Sequence, residues 1–236
     1  MREMKLGSLD VVIAGGTDRE GGGDGPVVVL LHGFGAPGDD LVSLHRVLDV
    51  PRGTRFVFPP AVLSLATEGY GPGRAWWRID MAAIQRGDRR MTTEVPDGLE
   101  PARAAVDGLL DAIQGDWKLP GSRIVLGGFS QGAMLALDVA LRRKEPLAGL
   151  VLLSGSIIAE AEWRAALGAT GPARAFKVFQ SHGKEDPILP FALAEVLRDV
   201  LRTAGLDVTW CPFRSGHEIP GPVLDGVGRF LTGVIA

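Results

Sequence analysis

Residues 128–132 read Gly-Phe-Ser-Gln-Gly, so Ser130 stands between two glycines at the spacing that suits a nucleophilic hydroxyl on a sharp turn. A serine attacks well only when a base takes its proton, and histidine is the side chain that does so near neutrality. The chain has four histidines, His32, His45, His182 and His217. In the fold whose nucleophile turn carries this G-x-S-x-G spacing, the partners follow in the order acid, then histidine. His32 and His45 precede Ser130, and His182 comes before any acid in its own loop. The base expected by elimination is therefore His217, in the run SGHEIP. A helix-capping or surface histidine is the plainer reading, since Gly216 and Glu218 would suit a helix start. For the acid, SHGKEDPILP offers Glu185 and Asp186. Asp186 precedes Pro187, which holds it out of helical geometry in a turn where its carboxylate can face His217. Glu185 reads as solvated surface charge.

Such a constellation works only if regular elements hold it. Apolar runs of strand length, at 27–31, 55–58, 123–127, 147–153, 175–180 and 207–213, alternate with segments of helical period at 39–48, 100–114, 131–143, 189–204 and 223–231. That alternation predicts a mostly parallel sheet with helices on both faces. Several strand candidates are apolar throughout, as central strands covered on both faces should be. Asp39 and Asp40 suit the positive end of the first helix. The glycines between Gly15 and Gly25 read as a hairpin turn or loop. The stretch from Pro59 to Pro96 lacks a period yet carries Tyr70, Trp76 and Trp77. A long loop of this kind in a compact domain is usually functional.

The Ser130 motif falls where this pattern passes from strand to helix, in IVLGGFSQGAMLAL. Chance alone would produce roughly 0.2 such motifs in a glycine-rich chain, so placement carries the argument. Acyl transfer also needs donors for a tetrahedral oxyanion. The turn LLHGFGAPGDD supplies one and the helix start another, which makes the amides of Phe34 and Gln131 the candidates. A phosphate-cradling loop is the competing reading, but no Lys follows in the Walker spacing. These features together predict the α/β-hydrolase fold.

Composition narrows the alternatives. At 46% hydrophobic over 236 residues, the chain can bury one sizeable core, and one domain spanning 1–236 is expected. A net charge of −3 leaves no electrostatic footprint for nucleic acid or an anionic membrane. A small-molecule ester substrate fits better. Cys211 is the single cysteine and cannot form an internal disulfide. No run has signal-peptide or transmembrane character, so neither stable membrane insertion nor secretion is expected, and a cytoplasmic location is the default.

LLHGFG, FVFPPA, AWWRID, GGFSQGA, SHGKEDPILP and SGHEIP, in this order, resemble the phospholipase/carboxylesterase family that includes the acyl-protein thioesterases. The resemblance implies a compact hydrolase without a large cap domain, with no metal or organic cofactor, acting on carboxylic esters or thioesters and often dimeric. It also implies that the loop containing Leu63, Trp76 and Trp77 walls the acyl groove as the substrate-binding surface. Trp76, Trp77 and Arg78 make that stretch bulkier than the family pattern, and 63–74 is glycine-rich. Taken alone, the two tryptophans read as one core ring and one exposed ring. The expected activity is hydrolysis of short to medium-chain carboxylic esters through an acyl-Ser130 intermediate, with thioesterase or lysophospholipase action as the alternative. A dienelactone-type hydrolase would normally use cysteine where Ser130 stands, and a binding module would have no need of the triad.

Overall fold

The computed structural model describes residues 1–80, 83, 84, 88, 90–169 and 176–235. Among them, eight strands form one sheet. They are β1 (Arg2–Leu6), β2 (Leu9–Gly15), β3 (Val27–Leu31), β4 (Arg55–Phe58), β7 (Ile124–Phe129), β8 (Gly149–Leu153), β9 (Lys177–Gly183) and β10 (Val208–Phe213). Their spatial order is β1-β2-β4-β3-β7-β8-β9-β10. β1 pairs antiparallel with β2, and β2 antiparallel with β4, while the remaining pairs are parallel. A separate two-stranded ribbon joins β5 (Leu63–Ser64) to β6 (Arg74–Ala75).

The helices are α1 (Leu44–Val47), α2 (Arg90–Thr93), α3 (Leu99–Asp116), α4 (Gln131–Arg142), α5 (Glu160–Ala169), α6 (Phe191–Thr203) and α7 (Gly221–Ile235). The central strands show why apolar runs form a doubly covered sheet. In β3, Val27, Val29 and Leu31 enter the core beneath α3 and α4, while Val28 and Leu30 enter the core beneath α7. Both faces are dry, so every position of the strand is apolar. α4 is buried on nearly all sides. Its one buried carboxylate, Asp138, accepts from Arg103 of α3 and from the indole of Trp163 of α5.

Several expectations are corrected. The first two strands were absent from the sequence reading, because β1 is a charged edge and such strands carry little apolar signal. The helix expected at 39–48 is a four-residue turn of helix at Leu44–Val47. Three-residue bonds such as Val42 N to Asp39 O (3.1 Å) shape the chain before it, so Asp39 and Asp40 lie in turns rather than at a helix start. The last helix runs to Ile235, well beyond 231, and α5 was missed. Position 175, the expected first residue of the fifth strand, lies outside the described residues, and the strand itself begins at Lys177 and continues through Gly183.

Candidate active site

β7 ends at Phe129 and α4 begins at Gln131, which leaves Ser130 alone in the turn at φ 54° and ψ −117°. Positive φ is costly for a residue with a Cβ, about 1–3 kcal/mol. The fold over-determines it here. Ser130 N–H donates to Leu153 O of β8 at 2.8 Å, and Ser130 O accepts from Ala133 and Met134 in the first turn of α4. The flanking glycines are sterically required. A Cβ on Gly128 would lie 2.5 Å from Gly132 C, and one on Gly132 would lie 2.1 Å from Leu31 O.

The acid and base come from loops after β9 and β10, which the parallel pairing of these strands brings side by side. Lys184 N–H donates to Phe213 O (2.8 Å) and Glu185 N–H to Ser215 O (3.0 Å). A Cβ on Gly183 would lie 2.2 Å from Gly216 O, so glycine lets the two loops touch. The result is His217 Nδ1 at 2.6 Å from Asp186 Oδ2. Asp186 Oδ1 accepts from the amides of Ile188 (2.8 Å) and Leu189 (2.9 Å). Burial alone would raise the pKa of this carboxyl. The hydrogen bonds from His182, His217 and Leu189 outweigh it and hold the group well below the ordinary carboxylate range. Asp186 is therefore an anion, and it keeps the proton of His217 on Nδ1, leaving Nε2 as the basic nitrogen. Glu185 is exposed.

Ser130 and His217 line the same cavity of about 420 Å³. The Phe129 ring packs against His217 with centroids 4.7 Å apart. No hydrogen bond of Ser130 Oγ is seen among the described residues, and both Ser130 and His217 open onto the cavity. Phe34 also lines the cavity. The main-chain N–H groups of Phe34 and Gln131 donate to no protein acceptor among the described residues, as two donors for an oxyanion must.

The Phe34 turn is braced from behind. His32 Nδ1 donates to Gly33 O at 2.8 Å, and its Nε2 accepts from Ala61 N–H at 2.9 Å. Burial pushes this imidazole toward its neutral form, which that pattern requires. Gly35 N–H donates to Arg74 O (2.8 Å) and Arg74 N–H to Ala36 O (2.9 Å), tying the turn to β6.

The expected substrate surface divides. Trp77 lines the cavity at 3% exposure, whereas Trp76 is fully buried and donates its indole N–H to His32 O at 2.9 Å. Neither ring is exposed, contrary to the expectation of one core and one surface ring. Leu63 lies in β5 and is not among the residues lining the cavity. The remaining apolar walls include Met134, Ile158, Ile188 and Leu189, with charged residues from the 78–97 segment at the margin. Sequence reasoning missed the side chain of Gln131. Its Oε1 accepts from Trp76 N–H (2.9 Å) and its Nε2 donates to Trp77 O (2.8 Å), so the nucleophile turn clamps the cavity wall. It missed His182 as well, which pairs with the acid from beneath. The only signal for either was an uncharged polar or histidine residue within an otherwise apolar run. Among the described residues no group of three or more His, Cys, Asp or Glu side chains is placed to hold a metal ion.

The sequence pattern of the family described as Phospholipase/Carboxylesterase matches residues 19–235. Acyl-protein thioesterase 1 of Neurospora crassa is 26% identical over 213 residues, covering 87% of this chain and 85% of its own. The protein of the same name from Mycosarcoma maydis is 30% identical over 182 residues, covering 73% of each chain. Among solved structures, esterase PE8 superposes with a TM-score of 0.77 at 29% identity, over 94% of this chain and 97% of its own. Acyl-protein thioesterase 2 of Zea mays superposes with a TM-score of 0.74 at 23% identity, over 96% and 99%, a likeness of fold.

Proposed function

The chain belongs to the phospholipase/carboxylesterase family, and from that premise we propose that it is a serine hydrolase acting on short to medium-chain carboxylic esters through an acyl-Ser130 intermediate. The observation that carries this reading is the strained Ser130 backbone in one cavity with His217, itself bonded to a buried Asp186 anion. His217 Nε2 takes the Ser130 proton as Oγ attacks the acyl carbonyl. The amides of Phe34 and Gln131 hold the oxyanion, which collapses and expels the alcohol with the proton carried by His217. Water then repeats the sequence on the acyl-enzyme, releasing the carboxylic acid and restoring Ser130.

A thioester differs only in its leaving group, a thiol, and the same acyl-enzyme serves both. The names of the relatives, acyl-protein thioesterases and an esterase, favour both leaving groups equally. Treatment with a fluorophosphonate probe followed by peptide mapping tests the shared step. An adduct on Ser130 is expected, and an unlabelled chain under conditions that label a control hydrolase would overturn the reading. Rates on oxygen esters and thioesters of one acyl group then separate the two substrate classes.

A further inference from the structure

His182 lies at the penultimate position of β9 with a fully buried side chain. Its Nε2 is 2.9 Å from Leu189 O and 3.3 Å from Asp186 Oδ2. A carbonyl and a carboxylate oxygen can only accept, so Nε2 must carry the proton; it donates to Leu189 O, with Asp186 Oδ2 as a second, longer acceptor. Nδ1 is then a bare lone pair, and it is buried without a partner. A buried polar atom left unmatched costs free energy. A ring needed only to fill space would be better served by an apolar side chain. The donor at Nε2 is what this position requires.

The turn carrying the acid is thus closed from two sides. Asp186 Oδ1 takes the amides of Ile188 and Leu189, and His182 holds the carbonyl of Leu189 while its proton reaches Oδ2. Oδ2 is the oxygen that meets His217 at 2.6 Å. We propose that His182 is a positioning residue, whose Nε2–H fixes the Asp186 carboxylate so that Oδ2 stays aimed at His217 Nδ1. The inference rests on the reading of Asp186 and His217 as catalytic. Without this donor the amides of Ile188 and Leu189 still hold Oδ1, but Oδ2 keeps only His217 and the carbonyl of Leu189 loses its tie to β9, so the aim of Oδ2, and with it the orientation of His217 toward Ser130, relaxes.

The test compares His182→Leu, which removes the donor, with His182→Gln, whose amide nitrogen reaches the place of Nε2. His182→Asn, which is polar but too short to reach, stands in should the leucine variant not fold. Thermal melting first establishes that each variant is folded. kcat and KM on p-nitrophenyl butyrate are then measured, together with the far-downfield proton resonance of the His217 Nδ1–H···Asp186 hydrogen bond.

Hydrogen-bond partners that orient metal-bound histidines carry roughly ten- to a hundredfold in activity, and the partner of a triad carboxylate is expected at the lower end, on the order of tenfold. The expected result is a loss of that size in kcat with KM little changed in the leucine or asparagine variant, a shifted or broadened resonance, and recovery of both in the glutamine variant. A leucine or asparagine variant with wild-type kcat and resonance would overturn the proposal, as would a glutamine variant no better than they are. Asp186→Asn run in parallel keeps the two readings apart. If it abolishes activity while the His182 variants retain it, only the positioning role fails. If Asp186→Asn is itself fully active, the triad assignment fails.

Discussion

Ser130 shows how much of the candidate chemistry is a property of single residues held in unusual states. Ser130→Ala is expected to remove ester hydrolysis and the fluorophosphonate adduct, yet melt close to the wild type, because alanine suffers the same positive φ. Ser130→Gly relieves that strain and should melt higher than Ser130→Ala, by a difference of about 1 kcal/mol after the entropy cost of glycine. Differential scanning calorimetry of the pair checks this, and an alanine variant equal to or more stable than the glycine variant would contradict it. At the acid, Asp186→Asn should cost on the order of a hundredfold more in kcat than Glu185→Gln, since only Asp186 sets the tautomer of His217. Asp186 also has a stability signature. Its pKa is depressed in the fold, so the anion contributes stability in full above the ordinary carboxylate value of about 3.9, and that contribution is lost as pH falls through the lower folded value. The stability gap between wild type and Asp186→Asn should therefore stay level from neutrality to about pH 5 and narrow below about pH 4. Denaturant titrations across that range measure it, and a gap that persists unchanged into acid would refute the assignment.

At the scale of elements, the adjacent tryptophans after β6 do different work. Trp76 is a core residue whose indole and main chain are both hydrogen-bonded, to His32 and Gln131. Trp76→Ala should destabilise by about 3–5 kcal/mol, the range for buried aromatic truncations. Trp77 faces the cavity, and its truncation should flatten the dependence of kcat/KM on acyl length more than it lowers the rate on acetate. Urea unfolding of both variants, with ester kinetics on each, separates the roles. If Trp77→Ala lowers the rate uniformly across esters, its ring serves the core instead. The reason for the division is local. The carboxamide of Gln131 holds the main chain on either side of the Trp76–Trp77 bond, so one ring is turned inward and its neighbour outward to the cavity.

For the molecule as a whole, the proposed ester hydrolysis predicts that the cavity of about 420 Å³ beside Ser130 limits the acyl chain. Each added methylene contributes about 0.8 kcal/mol while apolar wall remains, and nothing once the wall is covered. Activity on p-nitrophenyl esters from acetate to palmitate should therefore rise, peak at short to medium length and fall. No described helix is long and apolar enough to cross a membrane. The same series run below and above the micelle concentration should show no jump in rate. A preference for the longest chains, or activation at the interface, would mean that the aromatic loop between Pro59 and Asp80 acts as a lid.

Much of this was legible in the chain itself, for physical reasons. β3 is legible to the residue because a strand dry on both faces must be apolar throughout, and β4 because Phe56–Phe58 follow the same rule after Arg55, whose guanidinium bonds Gly25 O. Ser130, Asp186 and His217 were picked out because nucleophile, acid and base chemistry each admit few residue types, and chain order removed the rest. β1 and the turn at 39–48 were not legible, since an exposed edge carries no apolar period and a helical pattern does not reveal that three-residue turns will interrupt it. Only the folded sheet decided that Trp76 is core while Trp77 is wall, that Leu63 stands away from the cavity, and that His182 reaches the acid. Those outcomes depend on contacts between segments far apart in sequence, and residue type and local spacing carry no information about which neighbour a side chain will meet.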